Sequence, residues 1–172
     1  MSDNKNRVVI SVLVDNQPNV LSRVVSLFGR RGFNIDSLIV SATNDPDLSR
    51  ITVVFSSTPR SVQQLLTQTE KLEVVREVFT LDNSDSLFRE LLLMKIAADE
   101  NDLAPLKQIV EVYRGKIIDL KKKSMIVELT GEPAKIDAFM DMVSDYDITE
   151  VCRTGMTAMG RSIRENWNVV ED

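Results

Sequence analysis

The sequence predicts an α+β chain of two ferredoxin-like βαββαβ units in tandem, each an antiparallel sheet with two helices on one face. Three observations lead there. Apolar periodicity switches between two and about 3.6 residues in the same order twice along the chain. A dense polar break, Asp82-Asn83-Ser84-Asp85, separates the two passes. The length of 172 residues, with 43% apolar and 27% charged, suits one ordinary globular domain or two of about 80 residues each.

In Val8–Val14, Val8, Ile10, Val12 and Val14 fall on one face while Val9, Ser11 and Leu13 fall on the other, which predicts a strand apolar on both sides. The cluster Asp15-Asn16-Gln17-Pro18-Asn19 is a turn. From Val20, the residues Val20, Leu21, Val24, Leu27 and Phe28 recur at helical spacing, and Gly32 is placed to close that helix in a left-handed cap. Ile35–Ala42 reads as a strand with Ile35 and Ile39 on one face and Leu38 and Val40 on the other. After the loop Asn44–Asp47, Arg50–Phe55 alternates with Ile51, Val53 and Phe55 inward. Thr58-Pro59 is an N-cap followed by proline at the first helical position, and Val62, Leu65, Leu66, Thr69 and Leu72 supply the stripe of the second helix. Val74–Thr80 closes the first unit as its fourth strand.

Past the break, Leu87–Ala97 is a strand. Asp102 is the expected cap of a helix carrying Leu103, Leu106, Ile109, Val110 and Tyr113 inward, with Gly115 ending it. Ile117–Leu120 and Met125–Thr130 form a hairpin across Lys121-Lys122-Lys123. Pro133 opens a helix with Ile136, Phe139, Met140 and Val143 inward, and Ile148–Cys152 is the last strand. The domains are thus expected at 8–81 and 86–153, with 154–172 left as a tail of weak periodicity.

Composition excludes much chemistry. The chain has no histidine, which removes Ser–His–Asp and Cys–His sites, imidazole acid–base catalysis and His-bound metals. Its single cysteine, Cys152, forms no internal disulfide, suits a reducing compartment and is expected as a small buried hydrophobe. The net charge is −5, with +1 in residues 1–81 and −6 in 82–172, so neither half offers the basic surface that DNA or an anionic membrane selects. The polar start and the short apolar run after it do not make a signal segment, and no run reaches the ~18 residues a bilayer span needs. A cytoplasmic location is the expectation. Asp45/Asp47, Asp99/Asp102 and the lysine triplet read as solvated turns, and Met94, Met125, Met140 and Met142 as core filler. An RNA-binding module of the same topology would need exposed aromatics on its central strands; the first strand has none, and Phe55 belongs in the core.

Two segments remain as ligand candidates. Asp15–Asn19 joins strand to helix, so the backbone N–H groups of the loop and first turn face outward, where a carboxylate is held well. Asn16, Gln17 and Asn19 add amides that accept from an ammonium, and Asn34 stands at the entry to the second strand. The same residues also read as ordinary turn chemistry, with Asn19 as a helix N-cap and Asn34 as a satisfied loop amide.

Residues Val12–Pro18, Val20–Val24, Leu27–Ile35 and Asp45–Thr52, and past the break Arg89–Leu91, Tyr113–Ile117, Lys135–Phe139 and Glu150–Gly155, closely resemble the small regulatory subunit of acetolactate (acetohydroxyacid) synthase. The likeness covers residues 8–161. It implies that 8–81 is an effector-binding, dimerising ACT domain and 86–153 a ferredoxin-like C-terminal domain. It implies a homodimer whose ACT sheets join side by side. The effector site would lie between the strand-to-helix loop of one chain and the start of the second strand of the other. That maps onto Asn16, Asn19 and Asn34, with backbone groups of Pro18, Val20, Leu21 and Ile35 nearby. It further implies a catalytic large subunit as partner, activated by this chain and made sensitive to valine or another branched-chain amino acid. Thiamin diphosphate, Mg2+ and FAD would all reside on that subunit. One departure stands out: the family commonly has glycine where this chain has Asn19, so effector binding is expected to be kept, redirected or lost. Arg23 and Arg30, seven apart on the first helix, and Arg31 beside them form an exposed face that either meets the catalytic chain or is simply solvated. A free-standing amino-acid sensor and an enzyme in its own right are the other classes the sequence leaves to be tested.

Overall fold

The computed structural model describes residues 6–162. Its elements run β1 (Asn6–Asp15), α1 (Val20–Arg30), β2 (Ile35–Ala42), β3 (Leu48–Ser57), α2 (Pro59–Glu70), β4 (Val75–Leu81), β5 (Ser86–Ala97), α3 (Glu100–Val112), β6 (Lys116–Lys121), β7 (Ser124–Gly131), α4 (Pro133–Met142), β8 (Asp147–Arg153) and β9 (Thr157–Gly160). One antiparallel sheet has the order β2-β3-β1-β4, and the second has β6-β7-β5-β8 with β9 also paired to β5. The predicted βαββαβ order therefore occurs twice. The chain divides into two compact units, one running up to Leu87 and resuming at Ala158, the other Phe88–Thr157.

In the first unit, Ile10, Val12 and Val14 of β1 and Ile51, Val53 and Phe55 of β3 meet Val20, Val24, Leu27 and Phe28 of α1 and Val62 and Leu65 of α2. The opposite faces of β1 and β3 are buried too, at Val9, Ser11, Leu13, Thr52 and Val54. Strands at the centre of a sheet need apolar residues on both sides in that situation, which explains the unbroken run in β1. The faces of β2 differ from the expected alternation. A register shift between Ile35 and Ser37 turns Ile35 to the side of Leu38, and both pack against the helix-covered core.

Helix α1 ends as the sequence predicts. Gly32 sits at φ 71°, its N–H donates to the Gly29 carbonyl, and the N–H of Phe33 donates to the Phe28 carbonyl. That pair of bonds is a Schellman closure, and its hydrophobic partners are Phe28 and Phe33, edge to face at 6.2 Å. Both rings also pack edge to face on Phe55, at 5.5 and 5.4 Å. Thr58 caps α2 with its side chain accepting from the Ser61 N–H, and Pro59 follows at the first position. In the break, Asp82 accepts from the Ser84 hydroxyl and from the N–H groups of Asp85 and Ser84, which holds its carboxyl below the usual pKa.

The second unit repeats the plan with corrections in detail. Helix α3 starts earlier than expected: Asp99, not Asp102, is its cap. The Asp99 carboxylate accepts from the N–H groups of Asn101 and Asp102, and the Asp102 carboxylate accepts from the Asp99 N–H, a reciprocal capping box. At the other end the left-handed residue is Arg114 (φ 55°), not Gly115. Gly115 is needed for closeness instead, since a Cβ there would lie 3.1 Å from a Val110 methyl and 3.2 Å from the Glu128 carbonyl oxygen. Cys152 is exposed rather than buried, because β8 is an edge strand and Cys152 pairs with Leu93, out of step with the inward Met94. Met94 and Met125 fill the core and Met140 packs against it, but Met142 ends α4 half-exposed. Nor is the stretch after 153 wholly a tail. Strand β9 buries Ala158, with Met156 buried just before it, and the N–H of Thr154 donates to the Leu91 carbonyl. A strand of four residues is too short for its alternation to show, and residues 163–172 of that predicted tail lie outside the described residues.

One charge cluster ties this unit together. Glu90 of β5 is 4% exposed and pairs with the Arg153 guanidinium of β8, which also donates to Asp137 of α4 at 2.8 Å. Burial works against the charge on Arg153, but hydrogen bonds to Glu90 and Asp137 outweigh it and raise its pKa above the ordinary value. Removing one member of a buried pair strands the other charge away from water. Arg153→Ala is therefore expected to lower stability to urea by about 3 kcal/mol. Asp137→Asn, on the exposed arm, should cost under about 1 kcal/mol. Equal, small effects from both would show that the cluster does not hold the unit.

Candidate functional site

The loop from β1 to α1 is fixed by contacts made with distant parts of the first unit. The Asp15 N–H donates to the Val74 carbonyl, and the Asp15 carboxylate accepts from Arg76 Nε at 2.6 Å. The backbone N–H of Asn16 donates to the Asp47 carbonyl at 2.7 Å. Its side chain is a clamp: Nδ2 donates to the Pro46 carbonyl at 2.9 Å, and Oδ1 accepts from the buried Ser49 hydroxyl at 3.0 Å. Asn16 thus joins the β1–α1 loop to the β2–β3 loop and sets the position of the helix entry. Asp45 and Asp47 lie in that second loop as plain turn residues, the Asp45 carboxylate accepting from the Asp47 N–H.

Asn19 departs from an ordinary cap. It occupies the N-cap position in the left-handed region (φ 67°, ψ 1°), and its side chain makes no capping bond. The reading of Asn19 as a side-chain cap is therefore corrected. Its carbonyl accepts from the Arg23 N–H, opening the helix, while Val20, Leu21 and Ser22 supply the first-turn N–H groups that no i−4 carbonyl can satisfy. The first turn carries no acidic residue to occupy them. The conformation is the one glycine adopts without cost and asparagine tolerates better than most residues. Asn19 thus takes that backbone path while placing an exposed amide beside the first turn.

Asn34 lies elsewhere. Its Nδ2 donates to Asp36 Oδ1 at 2.9 Å, and the other oxygen of Asp36 accepts from the Ser56 hydroxyl. Ile35 is half-buried and pairs with Phe55, which in turn pairs with Val8 at the start of β1. The loop residues Asn16, Pro18 and Asn19 follow Asp15, at the other end of β1, where it pairs with Leu48. Seven residues of strand separate the two rows, roughly 22–24 Å at a rise of 3.2–3.4 Å per residue. The structure gathers Asn16, Pro18, Asn19, Val20 and Leu21 at one end of the sheet and leaves Asn34 and Ile35 at the other. One small molecule cannot touch both groups in a single chain. Ser49, Asp36 and the Asp15–Arg76 pair were not foreseen as parts of these sites, because each acts through a partner distant in sequence or through a contact that no spacing encodes.

Among the described residues no group of three His, Cys, Asp or Glu is placed to hold a metal, and no helix is long and apolar enough to cross a membrane. On the outer face of the second sheet, Lys95 hydrogen-bonded to Glu150 holds that carboxyl below its ordinary pKa.

Comparison with known proteins defines the class first. Residues 10–77 match the ACT domain described for acetohydroxyacid synthase small subunits, and residues 89–162 match the family described as the small subunit of acetolactate synthase. The acetolactate synthase small subunit of Mycolicibacterium smegmatis is 37% identical, covering 95% of this chain and 96% of its own. A probable acetolactate synthase small subunit of Archaeoglobus fulgidus is 41% identical over 88% of this chain and 95% of its own. The crystal structure of the small subunit from Thermotoga maritima superposes with a TM-score of 0.85 at 36% identity, covering 95% of this chain and 99% of that one. This chain belongs to the family of acetolactate synthase small subunits.

The left-handed conformation of Asn19 carries a direct test. Asn19→Gly should leave stability unchanged or slightly raised, whereas Asn19→Ala should lower it by about 1 kcal/mol in denaturant unfolding, because a Cβ without a compensating amide is strained there. Equal stabilities for the two variants would mean that the loop does not hold φ positive.

Proposed function

We propose that this chain is the non-catalytic regulatory subunit of acetolactate synthase. It activates a thiamin-diphosphate-dependent catalytic subunit and makes it sensitive to valine or another branched-chain amino acid. In this reading thiamin diphosphate, Mg2+ and FAD belong to the catalytic subunit, the chain works as a homodimer through its ACT domain, and the complex is cytoplasmic.

The observation that carries the effector part is the separation of Asn34 from Asn16 and Asn19. Strand β2 is an edge strand, and Val40 at its centre is 43% exposed. An exposed strand edge pairs readily with another copy of itself. Antiparallel pairing of β2 with β2 of a second copy sets the start of one strand beside the end of the other. That end is Ala42, which pairs with Ser49, the residue hydrogen-bonded to Asn16. A two-fold dimer of this kind brings Asn34 and Ile35 of one chain toward the Asn16–Leu21 loop of its partner. The effector's carboxylate then faces the open first-turn N–H groups of α1, and its ammonium faces the asparagine carbonyls. Its branched side chain needs only an apolar wall.

Regulation follows as a population shift. The effector must bind one arrangement of the complex better than another, and couplings of ~1–3 kcal/mol are typical of such systems. The reading is tested by adding the chain to the catalytic subunit and titrating valine, leucine and isoleucine. Faster acetolactate formation, reversed by one of the three, is the expected result; an enzyme indifferent to the chain and to all three amino acids overturns it. Two variants test the site. Asn34→Ala should weaken effector binding in calorimetry by ~1–3 kcal/mol, since a ligand group buried at the interface loses its partner. Val40→Asp, which sets like charges face to face near the two-fold, should convert the sedimenting dimer to monomer.

A further inference from the structure

Helix α1 is unusual for a chain of net charge −5: it contains no acidic residue, and its outer side carries Arg23 and Arg30, with Arg31 just beyond. All three are exposed. None forms an ion pair with a carboxylate among the described residues, although seven such pairs engage other cations. Arg30 instead donates through Nε to the Ser26 carbonyl at 3.3 Å. The two guanidiniums stand along a groove of about 370 Å³ lined by Asn19, Ser22, Arg23, Ser26, Arg30 and Leu72. Its lining also includes the hydroxyl-bearing Ser22 and Ser26, the amide-bearing Asn19 and the apolar Leu72.

The spacing selects the occupant. Residues seven apart on a helix are about 10 Å apart along its axis. That is wide enough for the two guanidiniums to take separate anionic groups, and nothing in the groove resembles a Gly-rich phosphate cradle. It matches two carboxylates borne about three residues apart on an extended segment, or two turns apart on a helix. Arginine forks pair bidentately with such groups, and a desolvated arginine is the kind of residue that dominates an interface. We propose that this groove along α1 docks an acidic segment of the catalytic subunit, an inference that rests on the regulatory reading given above. Asn19 lies in both the groove and the candidate effector loop. The effector at the first turn and the partner along the helix side therefore act on one rigid element, which supplies the physical link that allosteric coupling requires.

The test measures binding of the full-length chain to the intact catalytic subunit at several salt concentrations, with valine binding to the chain alone read by calorimetry as a control on folding and on the effector site. Wild-type affinity is expected to fall with salt. The double variant R23E/R30E should bind the catalytic subunit about 10–100-fold more weakly, and the neutral R23Q/R30Q should lie between, with a flatter salt dependence. Both should bind valine as the wild type does. Wild-type affinity and salt slope in R23E/R30E overturn the proposal while leaving the regulatory reading intact. So does tight binding of inorganic phosphate that the variants lose without losing the catalytic subunit. A wild-type chain that does not bind the catalytic subunit at all overturns the regulatory reading, and this inference with it.

Discussion

The first unit depends on how α1 is stopped. Gly32 turns the chain left-handed, two crossed hydrogen bonds close the helix, and Phe28, Phe33 and Phe55 lock edge to face around that closure. Phe28 and Phe55 are fully buried, so the arrangement fastens the helix end to the sheet as well as to itself. Aromatic pairs of this geometry add ~0.5–1.5 kcal/mol each beyond the area they bury. The consequence is positional. Asn34 and Ile35 follow Phe33 directly, so the place where β2 starts, and with it one half of the candidate effector site, is set by the helix stop. The other half is set at the opposite end of α1 by the Asn16 clamp on Pro46 and Ser49.

Helix α1 is thus a short rod, about 16 Å long at 1.5 Å per residue, with a differently anchored loop at each end. With the candidate effector residues at both ends of such a rod, one small ligand cannot reach them all in one chain. Under the proposed function, two-fold pairing of the β2 edges answers this by carrying each end to the complementary end of a neighbour. In that proposal site and assembly are one problem, and the arginine side of the same rod faces outward.

The two units share a topology but differ in what secures them. The first relies on aromatic packing around a glycine turn, and tolerates a left-handed asparagine at the entry to α1. The second closes α3 by the same two-bond motif, but with Arg114 in the left-handed position and Gly115 serving close approach. It also commits a buried carboxylate, Glu90, to an arginine from the neighbouring edge strand. Such a pair contributes less net stability than an apolar pair of the same size, but it fails steeply when one side is removed. Its value is in fixing β8 against β5 and α4 in one register.

What the sequence alone determined is everything carried by local periodicity and turn chemistry. The twice-repeated βαββαβ order, the Gly32 stop, the Thr58-Pro59 start and the inward faces of β1, β3 and the helices all follow from residues within a few positions of each other. Asn19, at a position where the resemblance implies glycine, could be flagged from sequence, but its φ of 67° could not. What tertiary structure decided are features that depend on a residue's neighbours across the fold. Cys152 looked buried because it ends a strand among apolar neighbours, yet an edge strand has water on one side. Asp102 looked like a cap until Asp99, three residues earlier, took the N–H groups first. The bulge in β2, the pairing of β9 with β5, and the clamp from Asn16 to Ser49 all arise from contacts between separate strands and loops, whose register is fixed only when the sheet assembles.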